Sequence, residues 1–184
     1  MIIHAPRITL RPFHADDWEW LLRVEGTSEN ARFQNYEPRD EENARKYAIE
    51  ASEKGIGQGN PVWFEFVIQV DGTAIGRIGA IADEHPLQFR VWYSLDPTHG
   101  GKGFATEALQ TILVFAFEVM QMHRVFAYVD SRNTSSRRLC ERARLRFEAE
   151  LVEDYELKGE WTNTCFYAML RREYCQPFEI QIIE

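Results

Sequence analysis

Residues 94–109 read SLDPTHGGKGFATEAL, and this stretch decides how the rest of the chain is read. A turn holding Gly100, Gly101 and Gly103 runs into residues 104–122. That segment carries Ala105, Ala108, Leu109, Ile112, Ala116 and Val119 at helical spacing. The first amides of a helix have no partner inside it, and the helix dipole makes that end positive. Glycines let such a backbone approach an oxyanion without a side chain intervening. Gly100, Gly101, Lys102, Gly103, Phe104, Ala105 and Thr106 therefore form either a phosphate site or an ordinary tight connection.

Working outward, residues 62–70 alternate, with Val62, Phe64, Phe66, Ile68 and Val70 on one side. Asp71-Gly72 then signals a hairpin. Strands at 73–82 and 89–95 complete an antiparallel meander. A further strand at 124–130, RVFAYVD, follows the helix, and strand–helix–strand implies one parallel crossover. Asn133 is a good N-cap for a helix to residue 144. Strands near 146–156 and 164–171 flank a Lys158-Gly159 turn. Nearer the start, residues 7–13 predict a strand. Asp16 and Asp17 open a helix whose Trp18, Leu21, Leu22 and Glu25 have helical spacing and which stops at Gly26. Residues 40–55 predict another helix, and 174–184 give no reading. The expected fold is a mixed α+β one: a mostly antiparallel sheet of about seven strands flanked by about four helices, as one domain over 1–184.

The chain has 184 residues, a formal net charge of −8, 45% apolar and 13% aromatic residues. That suits a globular domain with a real core rather than a disordered chain. The acidic balance argues against a nucleic-acid partner and fits a cationic one. Cys140, Cys165 and Cys175 are odd in number without a CxxC, and the five histidines are scattered, so neither a disulfide framework nor a metal site is expected. No apolar run reaches the roughly 18–20 residues of a membrane span. The first 13 residues lack the features of a secretory leader, so a cytoplasmic protein is expected.

Three nucleotide-type readings compete for the glycine turn. Lys102 is followed by Gly103 rather than Ser or Thr, which removes the Walker loop. Gly101, Gly103 and Thr106, with Asp130 ending the next strand, approximate a dinucleotide fingerprint. Its third glycine is missing, and antiparallel strands precede it. GGKGFATEAL instead resembles the acetyl-CoA pyrophosphate loop of the GNAT superfamily of N-acetyltransferases, (Gln/Arg)-x-x-Gly-x-(Gly/Ala). Gly103 and Ala105 match it, and Gly100 stands where Gln or Arg is usual. GKGFATEA is similar to the ribosomal-protein N-acetyltransferase-like branch. RITLRPF, the Asn133-Thr134-Ser135-Ser136 helix entry and Gly159-Glu160-Trp161 with FYAMLRREY extend the resemblance along the chain. A usual Leu-Gly-Phe reads Ala143-Arg144-Leu145.

The resemblance implies transfer of acetyl from acetyl-CoA directly to a primary amine: a protein N-terminus, a polyamine, an amino sugar or an antibiotic. It implies a cofactor wedge between residues 89–95 and 124–130. Backbone N–H groups near Tyr93 and Leu95 would meet the thioester carbonyl, and Asn133 the pantetheine arm. Cys140 occupies the position where the family often has a Tyr as proton donor to the thiolate; the other reading is a small core residue. Glu65, Glu160 and Asp130 are the candidate bases, each also readable as a structural or solvated carboxylate. Trp161 is the aromatic to test for a cationic substrate. The surplus negative charge is expected on the acceptor side. The resemblance leaves a monomer and a homodimer both open as the assembly. A non-catalytic acyl-CoA-binding module and a dinucleotide-dependent oxidoreductase remain as other readings.

Overall fold

The computed structural model describes residues 1–59, 61–82 and 85–183. The chain passes through β1 (Ile2–His4), β2 (Thr9–Arg11), α1 (Trp18–Glu25), α2 (Ser28–Ala31) and α3 (Glu41–Lys54). The meander follows as β3 (Trp63–Val70), β4 (Thr73–Ile81) and β5 (Gln88–Leu95). Then come α4 (Phe104–Val114), β6 (Arg124–Asp130), α5 (Thr134–Arg142), β7 (Arg146–Leu157), β8 (Glu160–Leu170) and β9 (Gln181–Ile183). All the strands join one sheet in the order β7-β8-β6-β5-β4-β3-β2-β1-β9.

The mixed α+β architecture is the expected one, with nine strands rather than seven. The additional strands, β1 and β9, have three residues each and pair with one another, Ile2 opposite Ile183. Three residues are too few for alternation to register. The four-residue α2 escaped notice for the same reason; Thr27 caps it by accepting from the Asn30 amide at 3.3 Å.

The β3–β4 and β7–β8 turns carry positive φ at two successive residues, which matches the twist of the strands they join. They are Asp71 and Gly72 (49° and 77°), and Lys158 and Gly159 (54° and 81°). The one parallel pair, β5 with β6, is short: Gln88, Phe89 and Arg90 pair with Arg124, Val125 and Phe126. Beyond it β5 continues against β4 to Leu95, and β6 against β8 to Asp130. The two strands therefore diverge, and the sheet opens into a wedge at their C-terminal ends.

One face of the sheet packs Phe64, Phe66, Phe89 and Val125 against Leu109, Ile112 and Phe115 of the long helix and Leu139 and Cys140 of α5. The other face packs Val67 against Trp20, Leu21 and Val24 of α1 and Ala44 and Ala48 of α3. Two expected stripes are rotated. Val119 is 49% exposed, because a π-helical turn at Phe115–Val119, with the Met120 amide bonded to the Phe115 carbonyl, swings Phe115 and Phe117 inward instead. In α1 the buried set is Trp20, Leu21, Val24 and Glu25. Glu25 is drawn in by ion pairs to Arg77 and Arg39, each at 2.6 Å.

Candidate active site

The glycine turn has the backbone an anion cradle needs. Gly101 and Gly103 have φ of 74° and 84°, a region that disfavours any side chain, and Gly103 is the N-cap of α4. The first helical bond is Glu107 N–H to the Gly103 carbonyl. Among the described residues, the amides of Gly101, Lys102, Gly103, Phe104, Ala105 and Thr106 donate to no protein acceptor. Arg7 braces the turn: its guanidinium donates to the Lys102 carbonyl (3.0 Å) and to Glu107 (2.6 Å). Glu107, a buried carboxylate in the first turn of α4, would otherwise repel an anion there.

The wedge supplies a second set of donors. The Asp96 amide bonds back to the Ile75 carbonyl, on the β4 side. Alternation along the strand then turns the amides of Tyr93 and Leu95 to the opposite edge, where β6 has departed. Asn30 reaches this edge from α2: its Nδ2 donates to the Leu95 carbonyl (3.3 Å), and its Oδ1 accepts from Ser94 Oγ (3.0 Å).

Across the wedge, Asn133 accepts from the Ser136 amide at 3.1 Å and so caps α5. Tyr93 spans the gap, its hydroxyl 2.6 Å from Ser136 Oγ and 3.4 Å from Cys140 Sγ. Cys140 is fully buried, and burial pushes its thiol up to about 11. Burial likewise holds the Tyr93 phenol well above its usual range.

These groups line a cavity of about 960 Å³. Its walls include Tyr93, Leu95, Gly100, Gly101, Gly103, Phe104, Ala105, Thr106 and Asn133. The Lys102 side chain is exposed and is not part of the lining. In its place the cavity gathers Arg7, Arg32, Arg138 and Arg142, which periodicity gave no reason to single out. Arg142 Nε donates to Thr106 Oγ1 at 3.2 Å, and among the described residues no carboxylate partners Arg138. A smaller cavity of about 430 Å³ adjoins it, sharing Arg32 and Phe33 and bounded by Arg132, Lys158 and Glu160.

The three candidate bases are dispersed. Glu65 is not in the cleft. Strand alternation puts it on the α1/α3 face, where Arg77 (2.6 Å) and Tyr47 (2.8 Å) occupy its carboxylate. Burial raises the pKa of Asp130, but hydrogen bonds from Arg132 prevail and hold it below the usual carboxylate range. Glu160 lines the smaller cavity, 2.7 Å from Arg132. Trp161, 64% exposed, lines neither cavity.

An acetyltransferase (GNAT) domain model matches residues 7–146, which include the glycine turn, the wedge and α5. The chain belongs to the GNAT family. The acetyltransferase is 27% identical to an uncharacterized N-acetyltransferase, p20, of Bacillus licheniformis, over 94% of this chain and 97% of that protein. It is 21% identical to the spermidine N(1)-acetyltransferase of Escherichia coli K12, over 92% and 89%. A GNAT-family acetyltransferase from Bacillus anthracis superposes with a TM-score of 0.85 at 25% identity, covering 94% of this chain and all of that one. This GNAT protein is an acetyl-CoA-dependent N-acetyltransferase. Its own residues fit that cosubstrate: six successive amides without acceptors, an open strand edge and clustered arginines match a polyanion on an amide-bearing arm. Among the described residues, no group of three or more His, Cys, Asp or Glu side chains is arranged to hold a metal ion, and no helix is long and apolar enough to cross a membrane.

Proposed function

We propose that the chain transfers acetyl directly from acetyl-CoA to the primary amine of a small molecule or of a peptide N-terminus. The observation that carries this is the open edge of β5. The Tyr93 and Leu95 amides face the gap left by β6, and the gap leads to the smaller cavity. Acetyl-CoA brings an activated thioester. The amides of residues 101–106, with Arg138 and Arg142 beside them, hold its phosphates, and Asn133 flanks its pantetheine arm. The β5 amides donate to the carbonyl oxygen as it gains charge.

The neutral amine attacks the carbonyl carbon. The C–N bond forms, the C–S bond breaks, and the proton that nitrogen sheds balances the thiolate. Tyr93 and Ser136 are the hydroxyls placed to donate to the departing sulfur. Cys140 is fully buried and is not part of the cavity lining, whereas Tyr93 and Ser136 are, so the thiol lies behind the hydroxyls rather than beside the sulfur. Of the sequence-derived bases, Glu160 alone borders the acceptor cavity; since Arg132 holds it at 2.7 Å, it is assigned to orient the water that takes the amine proton. A likeness to the E. coli spermidine acetyltransferase supports an amine acceptor.

A thiol-release assay over peptides with free N-termini, polyamines and amino sugars tests the reading. Turnover with intersecting initial-rate patterns is expected. Parallel patterns with an acetylated enzyme would replace direct transfer by a covalent route, and no turnover with any amine would refute the function.

A further inference from the structure

The acceptor cavity has the wrong charge for a polycation. Its titratable lining is Arg32, Arg132 and Lys158 against Glu37 and Glu160. Both carboxylates are already engaged: Glu160 with Arg132 at 2.7 Å, and Glu37 with Lys158 at 3.6 Å. Arg132 is also held by Asp130 at 2.8 Å, and Lys158 donates to the Ala31 carbonyl at 2.8 Å. Arg32 is different. Among the described residues it has no carboxylate partner, and its guanidinium rests over the Phe33 ring, 4.9 Å from the centroid. It is exposed, and it stands where the two cavities meet. An entering ammonium therefore finds no free carboxylate, whereas an entering anion finds a free guanidinium.

The wall that carries Arg32 is also fixed in place. Residues 25–39 form a loop closed at its neck by the Arg39 amide on the Glu25 carbonyl (3.0 Å) and by the Arg39–Glu25 ion pair (2.6 Å). Lys158, at the β7–β8 turn, ties the far side of the same loop to the sheet. Arg32 is thus presented by a pinned loop, on an aromatic ring that keeps its fork open to solvent.

We propose that the acceptor is a primary amine bearing an anionic group, carboxylate or phosphate, which Arg32 binds. This rests on the direct amine acetylation proposed above and narrows its substrate class. It also reverses the expectation that the chain's surplus negative charge gathers on the acceptor side to attract an ammonium.

The test compares matched acceptors with and without the anion: alanine against alaninamide for the carboxylate, and phosphoethanolamine against ethanolamine for the phosphate, with spermidine as the polycation. At least one anionic member should exceed its neutral match roughly tenfold in kcat/KM, the worth of one charge-assisted hydrogen-bonded pair. Whichever pair shows the preference names the anion. Arg32→Ala should abolish the preference by raising the acceptor KM, with kcat and the acetyl-CoA KM within about twofold of wild type, and Arg32→Lys should restore part of it. Preference for spermidine or for the neutral matches, survival of the preference in Arg32→Ala, or a raised acetyl-CoA KM in that variant would overturn the inference while leaving the acetyltransferase reading intact. Failure of every amine would instead overturn that reading, and this one with it.

Discussion

Replacing Arg77 by Met should unfold the protein more easily than any surface change. Arg77 lies between Glu25 and Glu65, at 2.6 Å from each, with side-chain exposures of 7%, 0% and 5% for the three. Without the guanidinium, Glu25 keeps Arg39, but Glu65 keeps only the Tyr47 hydroxyl. A buried charge stripped of its partner costs about 3–5 kcal/mol. For a chain of this size that is a fall in Tm of about 6–20 °C. The loss should also move with pH. Burial alone would raise the pKa of Glu25, but the Arg77 and Arg39 charges overcome it and hold it below 4.5. A depressed carboxylate stabilises the fold above its unfolded pKa, and that stability is lost as pH falls through the folded value. With one cation gone the depression shrinks, so acid removes less stability from Arg77→Met than from wild type, and the cost of the substitution should be smaller at pH 4 than at pH 7. Urea unfolding at pH 7 and at pH 4 reads both effects. The double change Arg77→Met with Glu65→Leu, which removes both charges, should recover more than half of the loss at pH 7. A single-variant cost under about 1 kcal/mol at pH 7 would refute the reasoning.

Arg144 holds a left-handed φ of 66° just past α5, with the Leu145 amide bonded to the Cys140 carbonyl. Arg144→Gly should therefore stabilise by about 0.5–1 kcal/mol, the left-handed cost less glycine's own entropy, and raise Tm by about 1–4 °C in a thermal melt. Tyr93→Phe should lower kcat roughly tenfold or more, with acetyl-CoA affinity little changed. Cys140→Ala should mainly cost stability, so an equal or larger kcat loss in that variant would return the donor role to the thiol. Glu160→Gln should lower kcat several-fold while leaving acetyl-CoA binding untouched; an unaltered kcat would remove Glu160 from proton transfer.

The long elements were legible because their patterns repeat. The meander, its Asp71-Gly72 turn, the parallel crossover and the Asn133 cap all stand where periodicity and turn chemistry put them. The terminal strands and α2 were hidden by being three or four residues long. The glycine turn was legible as an anion site because its requirement is a backbone one. Arg7, Arg32, Arg138 and Arg142 were not, since nothing local distinguishes a cleft arginine from a solvated one; the fold alone assembles them. Glu65 shows the converse. Its alternation phase was readable, but which face held the cleft was not, and the partner that claims it, Arg77, lies on the neighbouring strand.

The cradle formed by residues 101–106 is most directly tested by calorimetric titration of acetyl-CoA into wild type and Gly103→Ala. A Cβ at Gly103 would require a left-handed φ of 84° and would sit 3.2 Å from Arg7 Nη2, so the turn must relax and its amides turn away. Wild type should bind one acetyl-CoA per chain and no NAD, and the variant should bind roughly tenfold more weakly, a loss of about 1.4 kcal/mol. Unchanged affinity in Gly103→Ala, or binding of NAD in preference to acetyl-CoA, would contradict the assignment of the phosphates to this turn.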